Sequence, residues 1–185
     1  MKFQLTLTAL LLFVFSSIAS SKQIFGIEDA RNSIRDPKNT DEMLIEMIPD
    51  SIIVNSAFDI VSEAILCYRP GLLDLIHRKI EKSLNLDPRI FGIAFLNVDD
   101  SPALDPTIQQ ICENLVVLGV DINAVSEKSK ICALSEAILT GNRAVVSWVL
   151  SHPHFDVSRV DTLAFKTCLL ALIKSTKSDL MEYYH

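Results

Sequence analysis

Residues 114–124 read NLVVLGVDINA, and residues 131–150 read ICALSEAILTGNRAVVSWVL. The first stretch is an apolar pattern that stops at Gly119 and continues into a turn at Asp121, and the second holds two short helical patterns joined at Gly141. Glycine at such a junction favours the left-handed backbone angles that end a helix. This order of apolar helix, polar turn and two short helices predicts one unit of a helical repeat.

Two short sequence repeats extend this pattern along the chain. Asp121-Ile122-Asn123 returns as Asp156-Val157-Ser158, 35 positions later, and the pentapeptide SEAIL at residues 62–66 returns at residues 135–139, 73 positions later. Periods of about 20–50 residues are typical of arrays in which each unit covers the apolar face of its neighbour. We therefore predict four helical pairs, over about residues 51–88, 89–123, 124–158 and 159–185.

Residues 132–137, CALSEA, resemble the Thr-Pro-Leu-His-x-Ala pattern of ankyrin repeats. Leu134 and Ala137 match that pattern and share one helix face, where the small Ala137 lets a neighbouring helix approach. Ser135 replaces the histidine, and residues 126–129 lack the usual Asp-x-x-Gly, so degenerate hairpin loops are expected. The chain is similar to a divergent ankyrin-repeat protein. This resemblance implies an all-α solenoid of stacked helix-turn-helix repeats with an irregular helical N-terminal cap.

Helices are also predicted outside the best repeat. Residues 22–50 form a cap or tether, with one helix over 28–34 and another that begins at Thr40, a suitable N-cap residue, and ends before Pro49. In the second pair we expect helices over 89–96 and 107–118.

The second helix of the best repeat carries an apolar stripe at helical spacing. The stripe predicts the buried face and consists of Val145, Val146, Val149 and Leu150. Trp148 has two interpretations: it packs in the core, or it anchors a partner, since indole side chains are enriched at binding hot spots.

The first 21 residues predict a cleaved secretory signal. Lys2 precedes an apolar run over residues 5–15, and small residues follow it, so cleavage is expected after Ala19 or Ser21. The run is shorter than the roughly 18 residues needed to span a bilayer, which makes a retained anchor the weaker alternative. We expect a secreted protein without stable membrane insertion after cleavage.

Charge and cysteine usage restrict the class of protein. The net charge of the chain is -6, and it becomes -7 without residues 1–21, so a nucleic-acid partner is not expected. The four cysteines each lie in an apolar helical pattern, which favours buried structural thiols. Disulfides, in any of three connectivities, and a metal site remain alternatives. These cysteines are Cys67, Cys112, Cys132 and Cys168.

No recognised catalytic or cofactor motif occurs in the sequence. His152-Pro153-His154 is interpreted as an insertion in a turn, with a weak metal site as the alternative. A Cys-His nucleophile, for example Cys67 with His77, has no supporting motif. We expect no enzyme activity, no cofactor and no metal.

The function expected from the resemblance is binding of a protein partner through the concave face and the loops before each first helix. The candidate residues are Ser126, Glu127, Lys128 and Lys130, and, one repeat later, Arg159 and Asp161. The chain combines a predicted leader sequence with an ankyrin-like repeat and with cysteines that are expected to be reduced. This combination favours an effector that a pathogen or parasite delivers into a host cell, where it binds a host protein. The alternative function is a secreted helical carrier of a lipid or other small ligand.

Overall fold

The computed structural model describes residues 25–80, 83–96, 98, 101, 103–160 and 166. The signal-peptide prediction, Cys168, Asp161 and nearly all of the predicted last pair lie outside these residues. The described part contains nine α-helices: α1 Ile27–Arg35, α2 Asp41–Met47, α3 Asp50–Asn55, α4 Ala57–Leu66, α5 Pro70–Ile80, α6 Ile90–Phe95, α7 Pro106–Val117, α8 Ala133–Leu139 and α9 Arg143–Ser151. A 3-10 turn follows at Val157–Arg159.

The prediction of an all-α fold is confirmed for these residues. Their only β-type pairing is an isolated antiparallel bridge between Val125 and Cys132. It lies in the loop before α8, where the resemblance implied a degenerate hairpin, and the backbone N–H of Ser126 also donates to the Ile131 carbonyl at 3.0 Å. Lys130 adopts φ +59°, so the left-handed position of this loop falls on a lysine.

The helices pack in two rows. In the first row α1 contacts α4, α4 contacts α6, and α6 contacts α8; in the second row α2 contacts α5, and α5 contacts α7. Within pairs, α4 contacts α5, α6 contacts α7, and α8 contacts α9. The short α3 packs against α4 and α5. The two SEAIL segments end helices of the same row, α4 and α8, which are separated there by α6.

Polar side chains begin three of the helices, and the first of them, Thr40, is the predicted cap. Thr40 Oγ1 accepts the backbone N–H of Met43 at 3.3 Å at the start of α2, as expected from the sequence. Asp105 Oδ1 accepts the N–H of Thr107 at 2.7 Å at the start of α7. Asn142 Oδ1 accepts the N–H of Ala144 at 2.8 Å at the start of α9. Each bond satisfies an N–H group that has no partner within its helix.

Gly119 and Gly141 end α7 and α8 as predicted, with φ +96° and +70°. At Gly119 the glycine N–H donates to the Val116 carbonyl at 3.0 Å, and the N–H of Val120 donates to the Leu115 carbonyl at 3.0 Å. These are the two bonds of a Schellman cap, which requires a left-handed residue at the glycine position.

The buried face of α9 differs from the predicted stripe. Val145 and Val149 are fully buried, but Val146 is only partly buried and Leu150 is 54 % exposed. Trp148 completes the buried face, 9 % exposed, with its ring centroid 6.3 Å from that of Phe91. The prediction of a core position for Trp148 is therefore confirmed. Val146 packs against the edge of this core, and Leu150 is the residue of the predicted stripe that faces away from it.

Two charged clusters hold the N-terminal helices on the rest of the fold. Glu63 in α4 is 3 % exposed, and its carboxylate accepts bonds from Arg35 Nε at 2.6 Å and Arg31 Nε at 3.1 Å, both from α1. Arg69, just before α5, donates to the backbone carbonyls of Asp36 and Asn39 at 2.9 and 2.8 Å. These bonds fix the turn between α1 and α2 onto the start of α5.

Candidate interaction cleft

Three aspartates shape successive turns after α5, α7 and α9. In each turn the Oδ1 oxygen accepts the backbone N–H of the residue two positions later, a preferred role of aspartate in turns. The bonds run from Arg89 to Asp87 at 3.0 Å, from Asn123 to Asp121 at 2.9 Å, and from Ser158 to Asp156 at 2.9 Å. Asp87 precedes Asp121 by 34 positions and Asp156 follows it by 35, so the same local structure recurs near the predicted period.

Asn123 joins the second of these turns to the third. Its side-chain amide donates to the His154 carbonyl at 2.7 Å, and its Oδ1 accepts the backbone N–H of Asp156 at 2.7 Å. Asn123 is 4 % exposed, so these bonds are shielded from water. The two turns therefore lie side by side, joined by residues 33 positions apart in sequence.

The second oxygens of the first two aspartates bind residues from the following loop. Asp87 Oδ2 accepts the Ser126 hydroxyl at 3.1 Å, and Asp121 Oδ2 accepts an Arg159 guanidinium N–H at 2.6 Å. These partners come 39 and 38 positions after the aspartates. Neighbouring loops are therefore linked by equivalent carboxylate bonds.

A cleft of about 750 Å³ lies beside the first two turns, at the start of α4. Its lining includes four acids, two bases and one aromatic ring: Asp59, Asp87, Asp121, Glu127, Arg89, Lys128 and Phe58. The Arg89 guanidinium lies 5.6 Å from the Phe58 ring centroid, and its Nε lies 3.2 Å from Asp87 Oδ1. Because Arg89 is already held by these two groups, the cleft presents mainly negative charge to solvent.

The carboxylates of the three turns are ionised at neutral pH. Burial pushes the pKa of Asp87 up, but the Arg89 N–H and the Ser126 hydroxyl outweigh it, so the pKa is lowered. The pKa of Asp121 is lowered in the same way, with burial opposed by the Asn123 N–H and by Arg159. The fixed negative charges therefore persist over the whole neutral pH range.

The structure brings most of the predicted partner-binding residues to this region. Glu127 and Lys128 are exposed and line the cleft. Lys130 is exposed on the same loop, and Arg159 reaches the cleft residue Asp121. Ser126 is 1 % exposed, and its hydroxyl accepts the N–H groups of Lys128 and Ser129 at 3.3 Å. Ser126 is therefore a residue that holds the loop in its conformation. Asp161 lies outside the described residues.

Sequence reasoning missed the other wall of the cleft. Phe58 and Asp59 come from α4, and Asp87 and Arg89 come from the turn before α6. Asp87 could have been found from the sequence, because it lies 34 positions, about one period, before Asp121. Phe58 and Asp59 have no counterpart in the repeat pattern, and only the packing of α4 against α6 brings them to the loop.

A second polar cluster involves the predicted His-Pro-His insertion. Trp148 Nε1 donates to Glu113 Oε1 at 3.2 Å, and His152 Nε2 lies 3.3 Å from Glu113 Oε2. The backbone N–H of His154 donates to His152 Nδ1 at 3.2 Å, which assigns the imidazole proton to Nε2. Both nitrogens of His152 are therefore engaged. Across the described ranges, no group of three His, Cys, Asp or Glu side chains could hold a metal ion.

The described thiols are structural. Cys67, Cys112 and Cys132 are free, and the last two are buried. Burial raises the pKa of the Cys67 and Cys112 thiols, with a smaller contribution from a nearby glutamate in each case. A thiol that is held protonated in this way is a poor nucleophile. Cys168 is not among the described residues.

The chain matches no protein-family model, no curated protein and no solved structure in comparisons of its sequence and fold. In the part of the chain that the structure describes, none of the helices combines the length and the apolar character needed to cross a membrane.

Proposed function

We propose that this chain is a non-enzymatic protein–protein interaction module, built as a solenoid of stacked, ankyrin-like helix-turn-helix layers. The observation that carries the proposal is the recurrence of one aspartate turn at Asp87, Asp121 and Asp156. Helices that contact mainly their neighbours in two rows support the same arrangement. An array of this kind offers a long surface of rigidly held loops rather than a single enclosed reaction centre.

The binding surface in this proposal is the cleft together with its exposed loop. Glu127 and Lys128 project from a loop whose base is fixed by Ser126 and Asp87, so little conformational freedom is lost on binding. The exposed carboxylates of Asp59 and Asp121 add hydrogen-bond acceptors beside them. Such a surface is suited to a protein partner that brings complementary polar and basic groups.

For localisation we propose secretion, with delivery into a host cell and a host protein as the partner. The predicted leader over residues 1–21 supports export, and the free thiols of Cys67, Cys112 and Cys132 are compatible with a reducing destination. The alternative, a lipid carrier, would require the apolar groove of about 680 Å³ beside Ile138, Val146 and Leu150 to be left open for its ligand.

Affinity capture from eukaryotic cell lysate tests the proposal. The purified protein is compared with a variant in which two adjacent charges are exchanged, Glu127→Lys with Lys128→Glu. The matched control exchanges an exposed ion pair on α5, Asp74→Lys with Arg78→Glu, and also leaves the net charge unchanged.

We expect a protein partner whose recovery falls at least about tenfold, or 1.4 kcal/mol, with the cleft variant and is unchanged with the control. A partner that both variants retain would contradict the binding surface. Recovery of a stoichiometric lipid and no protein would instead favour the carrier.

A further inference from the structure

The outer side of the last described pair, α8 and α9, carries an apolar groove. Ile138 from α8 and Val146 and Leu150 from α9 line it, together with Gly141, Arg143 and two serines. Leu150 is 54 % exposed, and Leu139 at the end of α8 is 51 % exposed. Apolar side chains grouped in a groove of about 680 Å³ are typical of a surface that another element covers.

Every earlier helix of the first row has its outer face covered by the next. α4 is covered by α6, and α6 is covered by α8. Among the described residues, α8 contacts α6 and α9 in this way and has no following helix. The groove is therefore the position that a further layer of the rows would occupy.

The chain itself supplies 25 more residues beyond this point. The turn at residues 152–160 is fixed by Asn123, and Val160, the residue just before this segment, packs against the core. In the sequence that follows, Leu169, Leu172 and Ile173 repeat the spacing of Leu134, Ala137 and Ile138, 35 positions earlier. This spacing is that of one face of a helix.

We propose that residues 161–185 of the same chain fill the groove of Ile138, Val146 and Leu150 as the next layer of the array. The inference rests on the stacked arrangement of the proposed function but not on the partner-binding cleft. Leu150 on the outside of α9 is then covered by a neighbouring layer, as Val145 and Val149 are covered on its inside.

Amide hydrogen exchange on the full chain tests this proposal, because it reports protection of each segment separately. The variant Leu150→Asp places a charge in the groove. Leu66→Asp is the matched control. Leu66 is the last residue of α4 and is 49 % exposed. We expect amides within residues 161–185 to exchange at least tenfold faster in Leu150→Asp than in the unmodified protein. We expect Leu66→Asp to leave their exchange unchanged.

Three results would overturn the proposal. The first is exchange of residues 161–185 at the rate of an unprotected peptide in the unmodified protein, and the second is protection that Leu150→Asp does not reduce. The third is protection that rises with protein concentration together with dimer formation in sedimentation, which would make a second copy the occupant. Unchanged protection of α4 to α7 shows that the variant is still folded. Loss of partner capture with the cleft variant is independent of all these results.

Discussion

Glu63 and Glu136 occupy the same position in the two SEAIL segments, yet their surroundings shift their pKa values in opposite directions. For Glu63, burial is outweighed by hydrogen bonds from Arg35 and Arg31, so the pKa is lowered. For Glu136, burial dominates, Arg89 opposes it and Asp87 adds to it, so the pKa is raised. The repeated sequence therefore has one ion-paired glutamate and one in which the charged form is disfavoured.

Glu63→Gln is expected to lower the free energy of unfolding at pH 7 by about 1–3 kcal/mol, because it removes hydrogen bonds between charged groups. A lowered pKa stabilises the fold above the ordinary glutamate value of about 4.3 and stops doing so as pH falls through the folded-state pKa. The difference between the two proteins should therefore shrink in acid. Urea unfolding followed by the fluorescence of Trp148, the only tryptophan, measures it.

Glu136→Gln is expected to have the opposite effect and to raise the free energy of unfolding at pH 7. A raised pKa means that the folded state binds the proton more tightly, so stability is lost as pH rises from about 4.3 through the folded-state value. The gain from the variant should appear over that interval and be absent in stronger acid. Equal stability of the two proteins at every pH would show that the Glu136 carboxylate is as well solvated in the fold as in the unfolded chain.

Asn123→Ala is expected to destabilise the fold by about 1–3 kcal/mol, because it leaves the His154 carbonyl and the Asp156 N–H without their partner. Asn55→Ala, at the exposed end of α3, is the control and should change stability by less than about 0.5 kcal/mol. Urea unfolding compares the two variants. Similar small effects would mean that the bonds between the two turns contribute little.

Gly119→Ala should cost more than Gly141→Ala. Both glycines have positive φ, which costs an alanine about 1–2 kcal/mol. At Gly119 the added methyl group would also overlap the Ser83 side chain, whereas nothing lies within 4 Å at Gly141. The overlap should add about 1–3 kcal/mol. Thermal unfolding of the two variants gives the order, and a reversed order would contradict the packing of residue 83 against the end of α7.

Native-state alkylation should distinguish the three described cysteines. In a Cys168→Ala variant, Cys67 should react with iodoacetamide first, because it is only partly buried, but slowly, because burial raises its pKa. Cys112 and Cys132 should react only after urea is added. Peptide mass spectrometry locates the label. A loss of two mass units in the unreduced protein would reveal a disulfide instead.

Local sequence was sufficient to predict several of the helices and their ends, although the predicted pair over 51–88 contains three helices, α3, α4 and α5. The caps at Thr40 and Asn142 and the left-handed glycines at 119 and 141 depend on residues within one turn of the chain, so they can be read from a short window. The recurrence of Asp121 at Asp156 was visible for the same reason, since each aspartate bonds a residue two positions away.

Contacts between helices that are far apart in sequence could not be predicted in this way. The pairing of Arg35 with Glu63 spans 28 positions, and the bond from Trp148 to Glu113 spans 35. The predicted buried face of α9 was wrong at Leu150, which is exposed. Hydrophobic spacing identifies apolar positions but not which neighbouring helix covers them. Only one wall of the cleft was predicted: its loop is part of the predicted repeat pattern, whereas Phe58 is brought to it by the packing of α4.

The bonds of Arg69 have a practical consequence for handling the protein. Its guanidinium, just before α5, donates hydrogen bonds to the carbonyls of Asp36 and Asn39. The bonds of Glu63 hold α1 independently. If a protease cut the backbone at residue 37 or 38, the bond from Arg69 to the Asp36 carbonyl and the Glu63 cluster would still join the two fragments. We therefore expect a nicked chain to migrate as one species in native gels, and this turn to be a suitable place to divide the gene for a split reporter.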